Sequence, residues 1–147
     1  GVNDDSNVLG ELLRKITSIG IIPYYVFQCR PVTGVKNQFQ VPLKEGYDIV
    51  ERAKNLQNGQ GKCFKYCLSS TSGKIEIVGK TDDGKMVFKY HQAKYEKDRG
   101  RIFIEDIDDD QTGKSGKGSS HSSDRKNSFQ RTLLFHNDIF TFLMVII

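Results

Sequence analysis

The sequence predicts an α+β domain followed by a tail of different character. Three observations carry this reading. Two amphipathic helical stretches bracket one wholly apolar strand near the N-terminus. From Lys62 onward the apolar period falls to two, with turn signals between short runs. After Asp110 apolar residues give way to a polar low-complexity stretch.

The spacing predicts a first helix over Ser6 to Ile19, with Val8, Leu9, Leu12, Leu13, Ile16 and Ile19 along it. Asp5 or Ser6 is placed to cap its start and Gly20 to end it. Ile21 to Gln28 follows, rich in β-branched and aromatic residues, as a strand buried on both faces reads. Pro23 sits near its start, where a missing donor costs little. Cys29 to Val41 reads as a loop. Pro42 then opens a second helix over Leu43 to Leu56, with Leu43, Tyr47, Val50 and Ala53 or Lys54 on one face. Asn58 to Gly61 ends it.

Four short runs come next: Cys63 to Leu68, Lys74 to Val78, Met86 to Tyr90 and Ile102 to Ile107. Ser72-Gly73 and Asp82-Asp83-Gly84 are hairpin signals, so these runs predict a small antiparallel meander. Thr112 to Ser123 contains no apolar residue and is expected to lack fixed structure. Ile139 to Ile147 is strongly apolar but falls short of the roughly 20 residues a membrane helix needs. It reads as a strand, an aggregation-prone end or sequence unrelated to the preceding domain. The expected divisions are 1–57, helix-strand-helix; 58–110, the antiparallel unit; 111–132, a disordered linker; and 133–147, an apolar tail of unknown role.

With 147 residues the chain holds about one domain, and 37% hydrophobic with 27% charged residues excludes a polytopic membrane protein and a wholly disordered chain. The net charge of +4 permits anionic ligands without announcing nucleic acid. Three cysteines and no signal peptide predict a reducing, cytoplasmic setting. The chain begins at Gly1 rather than Met, as a fragment or processed product would.

Several motifs invite chemistry. Cys63-x-x-x-Cys67-x-x-Ser70 approaches an iron–sulfur spacing, but the third ligand is Ser70. In an extended strand those two thiols would also lie about 13 Å apart. No metal site is expected here. Gly113 to Lys117 lacks the spacing of a phosphate loop and reads as linker. Lys85 to Arg101 carries six basic residues interleaved with Phe88, Tyr90, His91 and Tyr95. That pattern suits a basic module for nucleic acid or another polyanion, or simply a strand with one solvated face. Lys74 follows a tight turn, which suits either an ordinary hairpin lysine or an amine held for bonding to a carbonyl.

The segment from Glu11 to Gln57 resembles the late part of the lysine 2,3-aminomutase family of radical S-adenosylmethionine enzymes. Pro23, Tyr24, Tyr25, Gln28, Cys29, Gly34, Phe39, Val41, Pro42 and Gly46 carry the likeness. Tyr66 to Lys80 and Lys89 to Ile104 resemble the end domain of a branch of the same family, and the likeness spans about Val8 to Ile107. It implies that the first unit is the remnant of the last units of a partial (β/α) TIM-type barrel. Its strand would then want parallel neighbours that this chain does not supply. It implies an isomerase that moves an amino group between adjacent carbons of an amino acid, using pyridoxal phosphate, S-adenosylmethionine and a [4Fe–4S] cluster. Lys74, after Gly73, falls at the family's pyridoxal-phosphate lysine. Arg30 and Cys67 fall where the founding enzyme has two Asp residues for a lysine side chain, so they are the expected substrate-binding positions. Losing both anions makes lysine doubtful as substrate and allows an acidic or neutral amino acid. The family's cluster motif and most of its barrel lie upstream of this region. The expected chain is therefore a C-terminal fragment, inactive alone, whose partners are the missing barrel portion, an amino-acid substrate and, where it assembles, further copies of itself. No membrane and no nucleic-acid partner is expected; the basic module remains the alternative.

Overall fold

The computed structural model describes residues 2–30, 39–112 and the backbone of 143–146. Helix α1 covers Ser6–Ser18. Asp5 caps it, its carboxylate accepting from the Asn7 and Val8 amides at 2.8 and 3.0 Å. Gly20 turns the chain out at φ 87°. Strand β1 spans Pro23–Phe27 and helix α2 Leu43–Asn55. The first free amide of α2, that of Leu43, donates to the Gln111 carbonyl at 2.9 Å. A 3-10 turn over Gln60–Lys62 leads into β2, Lys65–Ser70. Then come β3, Gly73–Lys80, β4, Met86–Ala93, a 3-10 turn at Glu96–Asp98, and β5, Ile102–Glu105. Strand β6 is Leu143–Ile146.

The α+β class holds, with one mixed open sheet ordered β5-β4-β3-β2-β1-β6. Strands β2 to β5 form the expected antiparallel meander. One expectation is corrected. β1 does not lack parallel neighbours: it pairs parallel with β2 on one side and with β6 on the other. The apolar tail supplies one partner and the α2 crossover delivers the other, so the sheet runs without a break from β1 into the meander. Residues 113–142, including the linker and the Gly113 to Lys117 motif, lie outside the described residues. Gln111 and Thr112 belong to the folded part: the Thr112 hydroxyl donates to Gln40 Oε1 at 3.1 Å.

Both helices cover one sheet face. Leu9, Leu13, Leu43, Val50 and Ala53 meet Val26, Tyr66, Ile75 and Phe88 in the main core. Hydrophobic burial at about 25 cal/mol per Å² makes this layer the chief stabilising contact. Gly10 lets the helices close: a Cβ there would stand 2.7 Å from Leu56 Cδ1. Gln57 spans the contact, donating to the Gly10 and Ala53 carbonyls at 2.8 and 3.0 Å. Under the sheet's parallel end sits a buried polar node. Gln28 donates through Nε2 to the Val41 carbonyl at 2.6 Å and accepts the Tyr66 hydroxyl on Oε1. Gly46 leaves room for that hydroxyl.

Candidate functional site

The second sheet face carries the chemistry. Alternation in β1 turns Tyr25 and Phe27 away from the helices, and parallel pairing sets Phe27 beside Cys67. Those three side chains form a separate buried cluster. In β3 the same parity brings Lys74 and Glu76 onto this face, opposite Ser69 and Cys67. His91 follows from β4, its ring edge-on to Tyr25 at 5.6 Å.

Lys74 reaches across β2 to β1. Its Nζ lies 4.8 Å from the Tyr25 ring centroid and 5.8 Å from that of Phe27. Strands β1 and β3 are two sheet spacings apart, about 10 Å, so a lysine stem spans the gap where a shorter side chain would not. The rings attract the ammonium and shield its inner side from water. Beside it, Lys65 and Glu76 pair at 2.8 Å, so the carboxylate on this face already has a cation.

The turn carrying Lys74 is tied by side-chain hydrogen bonds. Thr71 and Ser72 make the turn and Gly73 is already the first strand residue, a shift from the expected Ser72-Gly73 pair. Ser70 and Ser72 hydroxyls meet at 2.9 Å, and Ser72 meets the Tyr90 hydroxyl at 3.0 Å. Gly73 is required by close approach of β4. At φ 136°, a Cβ would sit 1.9 Å from the Gln92 carbonyl oxygen. Gly73 thus aims Lys74 through the backbone.

The other expected positions fall differently. Cys67 is in the cluster, fully buried. Burial first, then the Glu76 charge, pushes its thiol up to about 12, against the opposing influence of Lys65 and Lys74. It is a neutral thiol at physiological pH, not an anion. Alkylation at pH 8 should therefore mark exposed Cys63 rapidly and spare Cys67 until the chain is denatured; rapid native labelling of Cys67, read by peptide mass, would contradict its burial. Arg30 is exposed, three residues past the end of β1. The register brings it to the same sheet end as Lys74.

Sequence reasoning named Tyr25 only within the family likeness and His91 only within the basic run, placed neither at the site, and did not name Phe27 at all. The signal was the i, i+2 alternation within β1, hidden because both faces of that strand are apolar. Burial, then the nearby cations Lys65, Lys74 and Lys89, lowers the His91 pKa, with Glu76 opposing. A folded pKa below the unfolded value gives stability that is present above the ordinary value of 6.5 and lost as pH falls through the folded pKa. Thermal melts should show Tm declining on acidification through this window, with a shallower decline in His91→Gln. Equal slopes would remove His91 from the account.

The implied groups can be tested against these residues. A carbonyl cofactor fits: a half-buried amine lies on two rings beside the buried Tyr25 hydroxyl, which has no hydrogen-bond partner among the described residues. An iron–sulfur cluster does not. Cys63 lies ahead of β2 while Cys67 is sealed inside the sheet, and no group of three metal-ligating side chains occurs among the described residues. No described helix is long and apolar enough to cross a membrane. The basic run is largely turned on its own chain. Arg101 pairs with Asp98 at 2.9 Å and lies over Tyr90 and Phe103, while Lys94 and Lys97 lie over Tyr95. A cleft of about 430 Å³ lies elsewhere, among Asp4, Lys44, Asp48, Arg52 and Asp109, away from Lys74.

No family model matches the chain, and no solved structure matches it. Curated proteins do. A protein of Aquifex aeolicus named "Putative L-lysine 2,3-aminomutase" is 41% identical over 104 residues, covering 71% of this chain and 27% of that protein. The L-lysine 2,3-aminomutase of Clostridium subterminale is 36% identical over 68 residues, 46% of this chain and 15% of the enzyme. That of Acetoanaerobium sticklandii is 32% identical over 68 residues, with the same shares of 46% and 15%. The chain thus spans between 15% and 27% of the length of these relatives.

Proposed function

Because the chain belongs to the lysine 2,3-aminomutase family over the region that matches, we propose that it carries the pyridoxal-phosphate lysine and part of the substrate pocket of an amino-acid aminomutase. The observation carrying this reading is Lys74, whose amine is held over Tyr25 and Phe27 at the parallel end of the sheet. When bound, pyridoxal phosphate supplies a carbonyl that takes up amino groups and an electron sink for the migrating centre. Lys74 is the residue that bonds it. The Tyr25 and Phe27 rings exclude water from one side, and the Ser70-Ser72 turn with Gly73 fixes the lysine's origin.

The substrate in this proposal is an amino acid with an acidic or neutral side chain. Arg30 supplies a cation, and the neutral Cys67 thiol offers no charge to an ammonium. The β1-α2-β2 unit, with parallel pairing on both sides of β1, is consistent with descent from the last units of a barrel. S-adenosylmethionine and the [4Fe–4S] cluster belong, in this proposal, to residues outside these 147, so the chain alone does not turn over. The setting is cytoplasmic, and any homo-oligomer is part of the whole protein's proposal.

Addition of pyridoxal phosphate should give the red-shifted absorbance of a lysine-bonded cofactor. Lys74→Ala should abolish it, while Lys80→Ala and Lys85→Ala keep it. Persistence of the band in Lys74→Ala would end the assignment.

A further inference from the structure

The Tyr25 side chain has a property that packing does not explain. It is only 2% exposed, and its hydroxyl has no hydrogen-bond partner among the described residues. Buried hydroxyls are nearly always paired, because leaving one unsatisfied costs on the order of 1–3 kcal/mol. A phenylalanine would fill the same space between Phe27 and His91 without that penalty. Tyr24 lies beside it, rings 4.2 Å apart, and its hydroxyl is near enough to help keep the Tyr25 phenol protonated without completing a hydrogen bond of full geometry. The ring beneath the Lys74 amine is therefore the ring that bears the unpaired donor.

We propose that the Tyr25 hydroxyl is a ligand-facing donor, giving its hydrogen bond to an acceptor oxygen of the aldehyde ligand that Lys74 bonds. The inference rests on the reading of Lys74 as the carbonyl-bonding lysine. Two further features support it. Burial first, then Tyr24, Cys67 and Glu76, holds the phenol protonated well above neutrality, so it remains a donor. Lys74 now lies across the ring, and its flexible four-carbon stem uncovers the ring when the amine moves to a carbonyl. The acceptor is a ring oxygen or a phosphate oxygen of the ligand, and both have the same chemistry toward a phenol.

The test is borohydride trapping on the full chain, with the label located by peptide mass. Half-saturation is measured for pyridoxal phosphate, pyridoxal and 4-pyridinecarboxaldehyde, in the wild type and in Tyr25→Phe. The expected result is about a tenfold weaker half-saturation for pyridoxal phosphate in Tyr25→Phe, the effect of one hydrogen bond to an anion. Tm without ligand should be unchanged or higher, because an unsatisfied hydroxyl has been removed. A deficit retained with pyridoxal assigns the ring oxygen, and one lost with pyridoxal assigns the phosphate. With 4-pyridinecarboxaldehyde, which has neither oxygen, the two proteins should be equal. A lower Tm or failure to fold in Tyr25→Phe would make the hydroxyl structural and overturn the proposal, as would equal half-saturation for pyridoxal phosphate. Label on Lys74 with no Tyr25 effect defeats only this inference. Label on other lysines defeats the reading beneath it.

Discussion

Gly73→Ala should destabilise the chain by about 3–5 kcal/mol, from a backbone conformation open mainly to glycine together with a steric overlap. The added methyl would meet the Gln92 carbonyl oxygen at 1.9 Å, and that atom belongs to the neighbouring strand's backbone. It cannot swing aside as a side chain would. Relief requires parting β3 from β4 at their bulge, where Lys74 faces Gln92. A single domain of this kind has about 5–15 kcal/mol in total, so the variant should melt far below the wild type in urea. Gly84→Ala, at φ 80° in an open turn with nothing within 4 Å, should lose less. Equal losses at the two sites would refute the close-approach argument.

Gln28→Leu should cost a comparable amount, about 3–5 kcal/mol, by leaving two buried groups unpaired at about 1–3 kcal/mol each and removing their partner. The Tyr66 hydroxyl bonds to Gln28 Oε1, and the Val41 carbonyl accepts from its Nε2 at 2.6 Å. Burial alone holds the Tyr66 phenol protonated, so it cannot escape by ionising. Adding Tyr66→Phe to Gln28→Leu should recover part of the loss, because one orphan is then removed. Urea unfolding of the two singles and the double measures this. A strictly additive double would show that the pair does not interact. The node ties the end of β1 to the loop before α2 and to β2, so its loss should also loosen the sheet end that carries Lys74 and Arg30.

Much of this architecture was legible in the residues. Asp5, Gly20 and Pro42 marked the helix limits within a residue because caps act locally. The change to a period of two located the meander. Periodicity overreached at Val8 and Ile19, which fit the helical face yet are 48% and 73% exposed. A 13-residue helix packed at one spot buries only the centre of its stripe, here Leu9 and Leu13. The partners of β1 were not legible at all. Pairing with a segment more than a hundred residues away leaves no mark on local pattern, and two-sided apolar strands do not reveal which residues share a face. The site shows the same division. The resemblance pointed to Lys74, but the rings beneath it follow only from the register that sets Phe27 beside Cys67 and Ser69 beside Lys74. Gly73 was noticed as a turn residue, whereas the neighbouring β4 backbone, not the turn, requires it.

The central claim is that Lys74 is the residue that bonds the carbonyl cofactor. Borohydride reduction in the presence of pyridoxal phosphate, followed by peptide mass mapping, tests it most directly. The account predicts one dominant pyridoxyl-lysine, in the peptide containing Ser72-Gly73-Lys74, lost in Lys74→Ala without transfer to a neighbour. A dominant label on Lys65, Lys80 or Lys85, or an even spread over exposed lysines with Lys74 unmodified, would contradict it.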